Sequence, residues 1–198
     1  TDATASTNGS EFTTDGLTIG VDKKIDDKRL FGMSARADRE QNDVGIGSYV
    51  NTDSQGLTFY GSWSQDDNSY IDAAIGFNEL VMDIQRTTSR SNVLKGERTG
   101  YQFFQTTTFV KEFDLGETVI SPYANLSIGY TRFGSYDELG NSPNQALHFG
   151  AQHITLKKGH LGLQADTTVD SRFGLMRPFS RIKYGKDVSS GSDITASY

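Results

Sequence analysis

ISPYANLSIGYTRF, residues 120–133, alternates between two kinds of side chain. From Ile120 onward every second residue is apolar or amphipathic, whereas the residues between them are mostly small and polar. Because successive side chains of a strand point to opposite faces, this pattern predicts one extended strand with an apolar face and a polar face. The apolar face of such a strand can meet either a protein core or lipid.

The same period recurs along the chain in segments of roughly ten residues. Four of them are LFGMSARADR (30–39), GLTFYGSWS (56–64), YIDAAIGFN (70–78) and GLMRPFSRIKYG (174–185). Segment 79–88 fits either an extension of its strand or a short helical turn. The pattern predicts an all-β chain with strands at 16–25, 29–40, 55–65, 69–80, 100–113, 118–133, 146–157, 160–170 and 174–186, and the start of another within Asp193–Tyr198.

Connections of two lengths separate these segments. Short polar stretches are typical of hairpin turns: KIDDKR (24–29), SQDDNS (64–69), DLGET (114–118), KKGH (157–160) and DSRFG (170–174). Longer, irregular stretches are QNDVGIGSYVNTDS (41–54), RTTSRSNVLKGERTG (86–100) and YDELGNSPNQA (136–146). Strands that run up and down place their connections alternately at two ends. Short turns at one rim and long loops at the other are typical of an outer-membrane barrel.

Composition narrows the class of protein. The 198 residues include 21 glycines, three prolines and no cysteine, which suits a β-rich chain with tight turns and excludes a disulfide scaffold. The net charge is −6 and the basic residues are scattered, so we expect no nucleic-acid partner. The sequence contains no run of about 18 apolar residues, which excludes a transmembrane helix and leaves a transmembrane barrel open.

Four stretches, in order, resemble the β-domain of autotransporters, the type V secretion proteins of Gram-negative bacteria. They are FTTDGLTIGVDKKIDDKRLFGMSARADR (12–39), NTDSQGLTFYGSWSQDDNSYIDAAIGF (51–77), VISPYANLSIGYTRFGSYDELG (119–140) and FGLMRPFSRIKYGKD (173–187). They resemble the family's Gly-x-x-x-Gly-x-Asp strand with its return strand, its Tyr-Gly-Ser strand, its Pro-Tyr-Ala strand and its Gly-x-x-x-Pro strand. The resemblance covers about residues 11–198.

The resemblance implies an antiparallel, up-and-down transmembrane β-barrel in the outer membrane of a Gram-negative bacterium. The family's barrel has twelve strands, so we expect this chain to supply about eight to ten of them. Residues 1–15 are expected to be a flexible linker or loop, and residues 16–198 an autotransporter-like barrel domain truncated at both ends. The implied role is a translocator and anchor that supports export or surface display of an upstream passenger, without enzymatic activity or a cofactor. The implied partners are outer-membrane lipid, the outer-membrane assembly machinery, transiently, and the passenger polypeptide.

The alternation assigns side chains to the two faces of this wall. The residues expected to face lipid are Leu57, Phe59, Trp63, Ile71, Ile75, Phe77, Leu126 and Ile128. The residues expected to face the lumen are Arg36, Asp38, Asp72, Asn125, Arg177, Arg181 and Lys183. The solvated face of a soluble sheet would accommodate the second set equally well.

Two other classes of protein remain open at this stage. A soluble β-sandwich that serves as a surface-binding or adhesion module also carries an apolar residue at every second position. An outer-membrane barrel hydrolase would need catalytic residues, for which His148, His153 and His160 are the candidates. Their spacings of five and seven place no two of them on the same face of one strand. Asp66, Asp67 and Asn68 could bind calcium, but a solvated turn is the simpler interpretation because the Glu that completes an EF-hand loop is missing.

Overall fold

The computed structural model describes residues 11–45, 47–88, 91–172, 174–193 and 195–197. These residues are almost entirely extended. In chain order the elements are β1 (Glu11–Asp26), β2 (Arg29–Gly45), β3 (Ser48–Asp66), β4 (Ser69–Thr87), β5 (Val93–Lys111), β6 (Phe113–Leu115), β7 (Thr118–Phe133), β8 (Tyr136–Asp137), β9 (Leu139–Gly140), a 3₁₀ turn (Pro143–Gln145), β10 (His148–Phe149), β11 (Gln152–Thr167), β12 (Val169–Ser171), β13 (Gly174–Met176), β14 (Phe179–Asp187), β15 (Ser190–Gly191) and β16 (Ala196–Ser197).

The eight long strands form one antiparallel sheet in the order β1-β2-β3-β4-β5-β7-β11-β14. Each long strand pairs with the next one along the chain, which is the up-and-down connectivity predicted from the turns. Within the described residues β1 and β14 pair on one side only, so the sheet is open, and every residue of these two strands is exposed. The predicted all-β antiparallel fold is confirmed.

The sheet has almost no core of its own. Leu94 and Val110 are the only buried hydrophobic side chains among the residues that the structure describes. The large apolar side chains are instead mostly exposed, as in Leu17, Phe59 and Leu126. A sandwich would cover such a face with a second sheet, so this arrangement disfavours the sandwich and leaves the apolar face to another solvent.

One predicted turn is wrong. KKGH does not connect two strands but lies inside β11, which pairs without interruption from Gln152–Phe133 to Thr167–Thr118. The two strands predicted at 146–157 and 160–170 are therefore largely one strand. Within this strand Lys157 lies opposite Ile128 on one face, and His160 lies opposite Asn125 on the other.

Two of the three predicted long connections are also wrong. Strands β2 and β3 stay paired as far as Gly45 and Ser48, and β4 and β5 as far as Thr87 and Val93. These polar segments lack the apolar alternation that marks the rest of each strand, but the backbone ladder continues through them. The stretch 79–88 extends β4, and no described residue of it is helical. Only the third predicted long connection, 136–146, lies in a true loop, which spans residues 134–151.

The chain ends fall partly outside the description. Strand β1 begins at Glu11, five residues before the boundary expected at residue 16, and residues 1–10 are outside the described residues. Of the strand expected within Asp193–Tyr198, Ala196 and Ser197 pair with β10, and Ile194 and Tyr198 lie outside the described residues. In the described part of the chain no helix has the length and hydrophobicity to span a membrane.

Candidate functional site: a wall with two faces

The register of the sheet separates its residues into two faces. Side chains directly opposite each other in an antiparallel pair lie on the same side of the sheet. Met33 is opposite Phe59, and Phe59 is opposite Ile75. The face that carries this row is called the apolar face below, and the other is called the polar face.

All eight residues expected to face lipid lie on the apolar face. Leu57 is opposite Phe77, Trp63 is opposite Ile71, and Leu126 and Ile128 follow on the same side of β7. Most of them are about half exposed, for example Phe59 at 55%. The apolar face also carries Leu17, Ile19, Val21, Phe103, Phe109, Leu161 and Leu163. These seven were not assigned from the sequence, although the same alternation marks Leu17, Ile19 and Val21.

The polar face carries a cavity of about 810 Å³ near the short-turn rim. Five of the seven residues expected to face the lumen line it: Asp72, Asn125, Arg177, Arg181 and Lys183. The cavity also carries acidic side chains that the sequence did not single out, namely Glu112, Glu117 and Asp166. The wall of this cavity therefore mixes positive and negative charge.

The basic stripe expected along one strand differs in detail. Arg177 lies in the connection between β13 and β14, so only Arg181 and Lys183 belong to β14. Arg181 donates from Nε to Oε1 of Gln164 at 2.9 Å, and its guanidinium lies 5.6 Å from the centroid of the Tyr123 ring. Pro178 ends the regular alternation before β14, which explains why Arg177 falls outside the strand.

Arg36 and Asp38 lie on the same polar face but far along the sheet from the cavity. Their side chains are two residues apart on β2, and Arg36 Nε is 2.5 Å from Asp38 Oδ1. Asp38 is opposite Gly16 on β1 and Ser54 on β3. This pair neutralises its own charge within one strand.

A belt of side-chain hydrogen bonds crosses the middle of the polar face. Asn78 donates to Gln102 at 2.8 Å, which connects β4 to β5. Asn125 donates from Nδ2 to the hydroxyl oxygens of Thr106 at 3.1 Å and Thr108 at 2.9 Å, which connects β7 to β5. These polar groups satisfy one another along the wall, so little of their hydrogen-bonding capacity is left over for a passing chain.

Two glycines on the polar face make room for aromatic rings of the neighbouring strand. A Cβ at Gly76 would lie 2.4 Å from the Phe104 ring, and one at Gly162 would lie 2.2 Å from the Tyr123 ring. The rings therefore lie flat against the backbone of the next strand instead of projecting from the wall. Because of this packing, the two rings take up little space above the polar face of the sheet.

The loop 134–151 folds back against the polar face at the opposite rim. The Arg86 guanidinium donates to both carboxylate oxygens of Glu138, at 2.8 and 2.5 Å, and the Glu138 side chain is only 2% exposed. Leu147 N–H donates to the same carboxylate at 3.1 Å. The alternation of the strands contains no signal for this cluster, because its members are distant in sequence.

Arg98 fastens the two ends of the same loop. It donates from Nε to the Gly134 carbonyl at 2.8 Å and from a terminal nitrogen to the Gly150 carbonyl at 3.2 Å. Its guanidinium lies 5.0 Å from the Phe133 ring and 5.7 Å from the Tyr136 ring.

Burial raises the pKa of the Tyr136 phenol, and the negative charge of Glu138 adds to the shift.

The candidate catalytic and metal-binding residues do not converge. His160 lines the cavity on the polar face, His153 lies on the apolar face, and His148 contacts Asp137 at 2.7 Å in the loop. No group of three or more metal-ligating side chains occurs among the described residues. At the turn considered for calcium, the Asp66 carboxylate accepts from the Asn68 N–H at 2.9 Å, as in an ordinary Asx turn.

Comparison with known proteins agrees with this architecture. The family model of the autotransporter β-domain matches residues 1–198. Among curated protein sequences none matches the chain significantly. The β-domain of the Bordetella autotransporter BrkA superposes with a TM-score of 0.62 at 16% identity, covering 93% of this chain and 76% of that one.

Two further solved structures share the fold. The translocator domain of NalP from Neisseria meningitidis has a TM-score of 0.61 at 13% identity and covers 93% of this chain and 81% of its own. BauA, the ferric preacinetobactin receptor from Acinetobacter baumannii, has a TM-score of 0.56 at 12% identity and covers 98% of this chain and 37% of its own. Because the family model spans the whole chain, the chain belongs to the autotransporter β-domain family and is an outer-membrane translocator and anchor for passenger export.

Proposed function

We propose that the apolar face contacts outer-membrane lipid and that the polar face lines the path by which an upstream passenger leaves the cell. The observation that carries this proposal is the register, which collects the exposed large apolar side chains on one side of the sheet. Lipid is the solvent that favours such a face, because the backbone of a barrel wall is satisfied within its own ladder. The eight residues expected to face lipid are then the anchor.

The chemistry of the polar face supports a path for polypeptide. Its central belt consists of amides and hydroxyls that bond to one another, such as Asn125 with Thr108. Its cavity mixes acids with bases, such as Asp72 with Lys183. Most of the described residues that line this cavity are polar, so this part of the wall stays wet and offers a passing segment little apolar surface to which it would adhere. Together with Asp72 and Lys183, this lining includes Arg36, Asp38, Asn125, Arg177 and Arg181.

Cysteine labelling tests the assignment of the two faces. The 198 residues contain no cysteine, so single substitutions give a clean background. We expect Phe59→Cys and Leu126→Cys to be protected from a water-soluble maleimide in intact membranes, while Thr58→Cys and Ser127→Cys react. Each apolar-face position is compared with its immediate neighbour on the same strand. Equal labelling of the neighbours would overturn the assignment.

We also propose that this chain exports the passenger without catalysing a reaction. The support is the separation of His148, His153 and His160 among the loop and the two faces. We expect a variant with all three changed to glutamine to display its passenger at the wild-type level. A loss of passenger processing in that variant, with the barrel still folded, would favour the hydrolase instead.

The family's transient partner, the outer-membrane assembly machinery, completes the proposal. Long antiparallel strands with exposed edges, such as β1 and β14, need pairing before they are stable in lipid. We expect depletion of the machinery to abolish the folded form of the chain, which for a barrel resists SDS until it is heated. Normal folding under depletion would contradict this part.

A further inference from the structure

The apolar face is not uniform in charge from one side of the sheet to the other. On β7, β11 and β14 its described residues include four basic side chains and no acidic one. Asp166 and Asp187, the acids of these three strands, lie on the polar face. The four basic residues, all exposed, are Arg132, His153, Lys157 and Lys186. They are called the basic cluster below.

The register places the members of the basic cluster in two pairs, which are separated by the four residues from His153 to Lys157 on β11, roughly 13 Å. Arg132 is directly opposite His153. Lys186 is opposite Gly159, so it is the diagonal neighbour of Lys157. Side chains as long as these reach each other across both kinds of spacing. The ammonium groups of Lys157 and Lys186 lie close together without an acid and repel one another, which favours an anionic ligand.

Most basic residues on the apolar face of the other strands contrast with this cluster. Arg29, Arg39 and Lys111 each form an ion pair with an aspartate, at distances between 2.6 and 3.1 Å. Lys23 and Lys95 form none with the described residues, but they lie on separate strands, β1 and β5. Among the described residues no carboxylate lies within 4.0 Å of the side-chain nitrogens of the basic cluster. The cluster therefore leaves its positive charge uncompensated within this part of the chain.

The cluster extends from the loop rim down to the rows of Ile128 and Leu126. Lys157 lies opposite Ile128, and Lys186 lies opposite Gly159, which pairs with Leu126. Arg132 follows Tyr130 and Lys186 follows Tyr184, two residues further toward the loop rim on the same face. Aromatic side chains followed by basic ones are the order found where hydrocarbon gives way to headgroups. Loop 134–151 is the longest connection between the long strands, longer than the connection 168–178 at the opposite rim. Because the longest loops of outer-membrane barrels are extracellular, we assign this rim to the outer leaflet.

We propose that Arg132, His153, Lys157 and Lys186 form a docking surface for the phosphate groups of lipopolysaccharide, the phosphorylated glycolipid of the outer leaflet. This inference rests on the proposed contact between the apolar face and lipid. Guanidinium and ammonium groups at a membrane surface bind phosphate through charge-assisted hydrogen bonds. The apolar residues below the cluster, including Leu161 and Ile182, would contact the acyl chains of the same molecule.

The test is the amount of lipopolysaccharide that the protein retains. The chain, together with the sequence that adjoins it in its reading frame, is purified from outer membranes in mild detergent as wild type and as Arg132→Gln/Lys157→Gln/Lys186→Gln. We expect the triple variant to lose bound lipopolysaccharide by about tenfold or more. The matched control is Lys23→Gln/Arg29→Gln/Lys111→Gln, which removes three charges from the same face at the short-turn rim. It should stay within about twofold of the wild type.

Three outcomes separate the explanations. Equal loss in both triple variants, or no loss in either, overturns the inference. Equally tight rebinding of dephosphorylated lipopolysaccharide also overturns it, because phosphate would then not be the group that is recognised. Equally tight rebinding of phosphatidylglycerol overturns it too, because any anionic lipid would then bind. The SDS resistance of each variant before heating shows that its barrel is folded. If cysteine labelling supports the two faces but the cluster variant retains its lipopolysaccharide, the docking surface is wrong and the proposed function stands.

Discussion

The two rims of this wall are held by different means. At the short-turn rim the hairpin turns at 27–28 and 67–68 repeat one local device. Asp26 accepts from the Lys28 N–H and Asp66 from the Asn68 N–H, both at 2.9 Å. Each bond spans two residues, and all the side chains concerned are exposed or nearly so. The turn is therefore specified by the residues that form it.

At the loop rim the β2–β3 turn uses the same local device, since Asp43 accepts from the Gly45 N–H at 2.7 Å, but the contacts that hold loop 134–151 are distant in sequence and buried. Glu138 is 52 residues from Arg86, and Arg98 is 36 residues from Gly134. Leu94, the one fully buried large side chain in the described residues, lies in the same region and pairs with Gly140 of the loop. The difference indicates that the hairpin turns form from local patterns, whereas the conformation of loop 134–151 depends on long-range contacts.

The largest effect is expected from Arg86→Met. The change leaves the buried Glu138 carboxylate without its guanidinium partner. Breaking a buried ion pair costs about 3–5 kcal/mol, and because Arg86 is itself partly exposed we expect about 2–3 kcal/mol here. Hydrogen exchange read by mass spectrometry should show faster exchange throughout 134–151, with the paired strands unchanged.

Arg39→Met is the matched control for that experiment. Arg39 binds Asp53 through a similar two-point contact, at 2.6 and 2.7 Å, but both side chains are about half exposed on the apolar side of the sheet. Their row continues through Val81 to Thr99, whose carbonyl accepts from Gly134 N–H, so the pair lies at the level of the loop rim. Exposed pairs at that level contribute little because water screens them. Exchange in 134–151 should therefore stay at the wild-type rate. If Arg39→Met loosens the loop as much as Arg86→Met, burial is not what distinguishes the rims.

Arg98→Lys is expected to have the next largest effect. Lysine keeps the positive charge but loses the planar fork that reaches the carbonyls of Gly134 and Gly150 and lies over two rings. The loss of one hydrogen bond and of the ring contact should destabilise the loop by about 1–2 kcal/mol. Exchange should rise first at the two ends of the loop, near residues 134 and 150. Unchanged exchange at these residues would show that a positive charge at position 98 is enough to hold the loop.

This contrast explains which features could be predicted from the sequence. Period-2 alternation predicted most of the strands, and it predicted the face of the sheet on which residues such as Phe59 and Leu126 lie. It could do so because successive residues of a strand lie on opposite faces. It failed at Lys157 and Lys158, which resemble a turn but lie within a strand paired along its full length. It also failed at 86–100. There β4 and β5 stay paired with each other through polar residues that carry no alternation of their own.

The candidate site was predicted in the same uneven way. Asp72, Asn125 and Lys183 were assigned to the polar face from alternation, and the register places them there together. Arg86, Arg98 and Glu138 could not be found, because no local pattern connects a strand residue to a loop residue about 50 positions away. The basic cluster was missed for the same reason, since its members become neighbours only through the register of three strands.

A small effect is expected from Asp26→Ala and Asp66→Ala at the short-turn rim. Each removes the acceptor of a turn N–H in an exposed hairpin whose strands remain fully paired. We expect the urea midpoint of the folded barrel in detergent micelles to stay within the error of the wild type. A clear fall in that midpoint, comparable to that of Arg86→Met, would show that the turns also hold the wall. The comparison between the rims would then fail.

The smallest effect concerns Tyr136, whose ring stacks on Phe149 at 4.7 Å within the loop. Burial, followed by the charge of Glu138, raises the pKa of its phenol in the folded state above the value of about 10 for an unfolded chain. The folded state therefore holds this proton more tightly, so its contribution to stability is fully present below about pH 10 and is lost as the pH rises through the folded pKa. Tyr136→Phe keeps the ring and removes the ionisable group, so the variant should lose less stability than the wild type between pH 10 and pH 12. The difference in absorbance at 295 nm between the two proteins follows the same group directly, and a midpoint at or below pH 10 would show that the loop leaves this phenol in water.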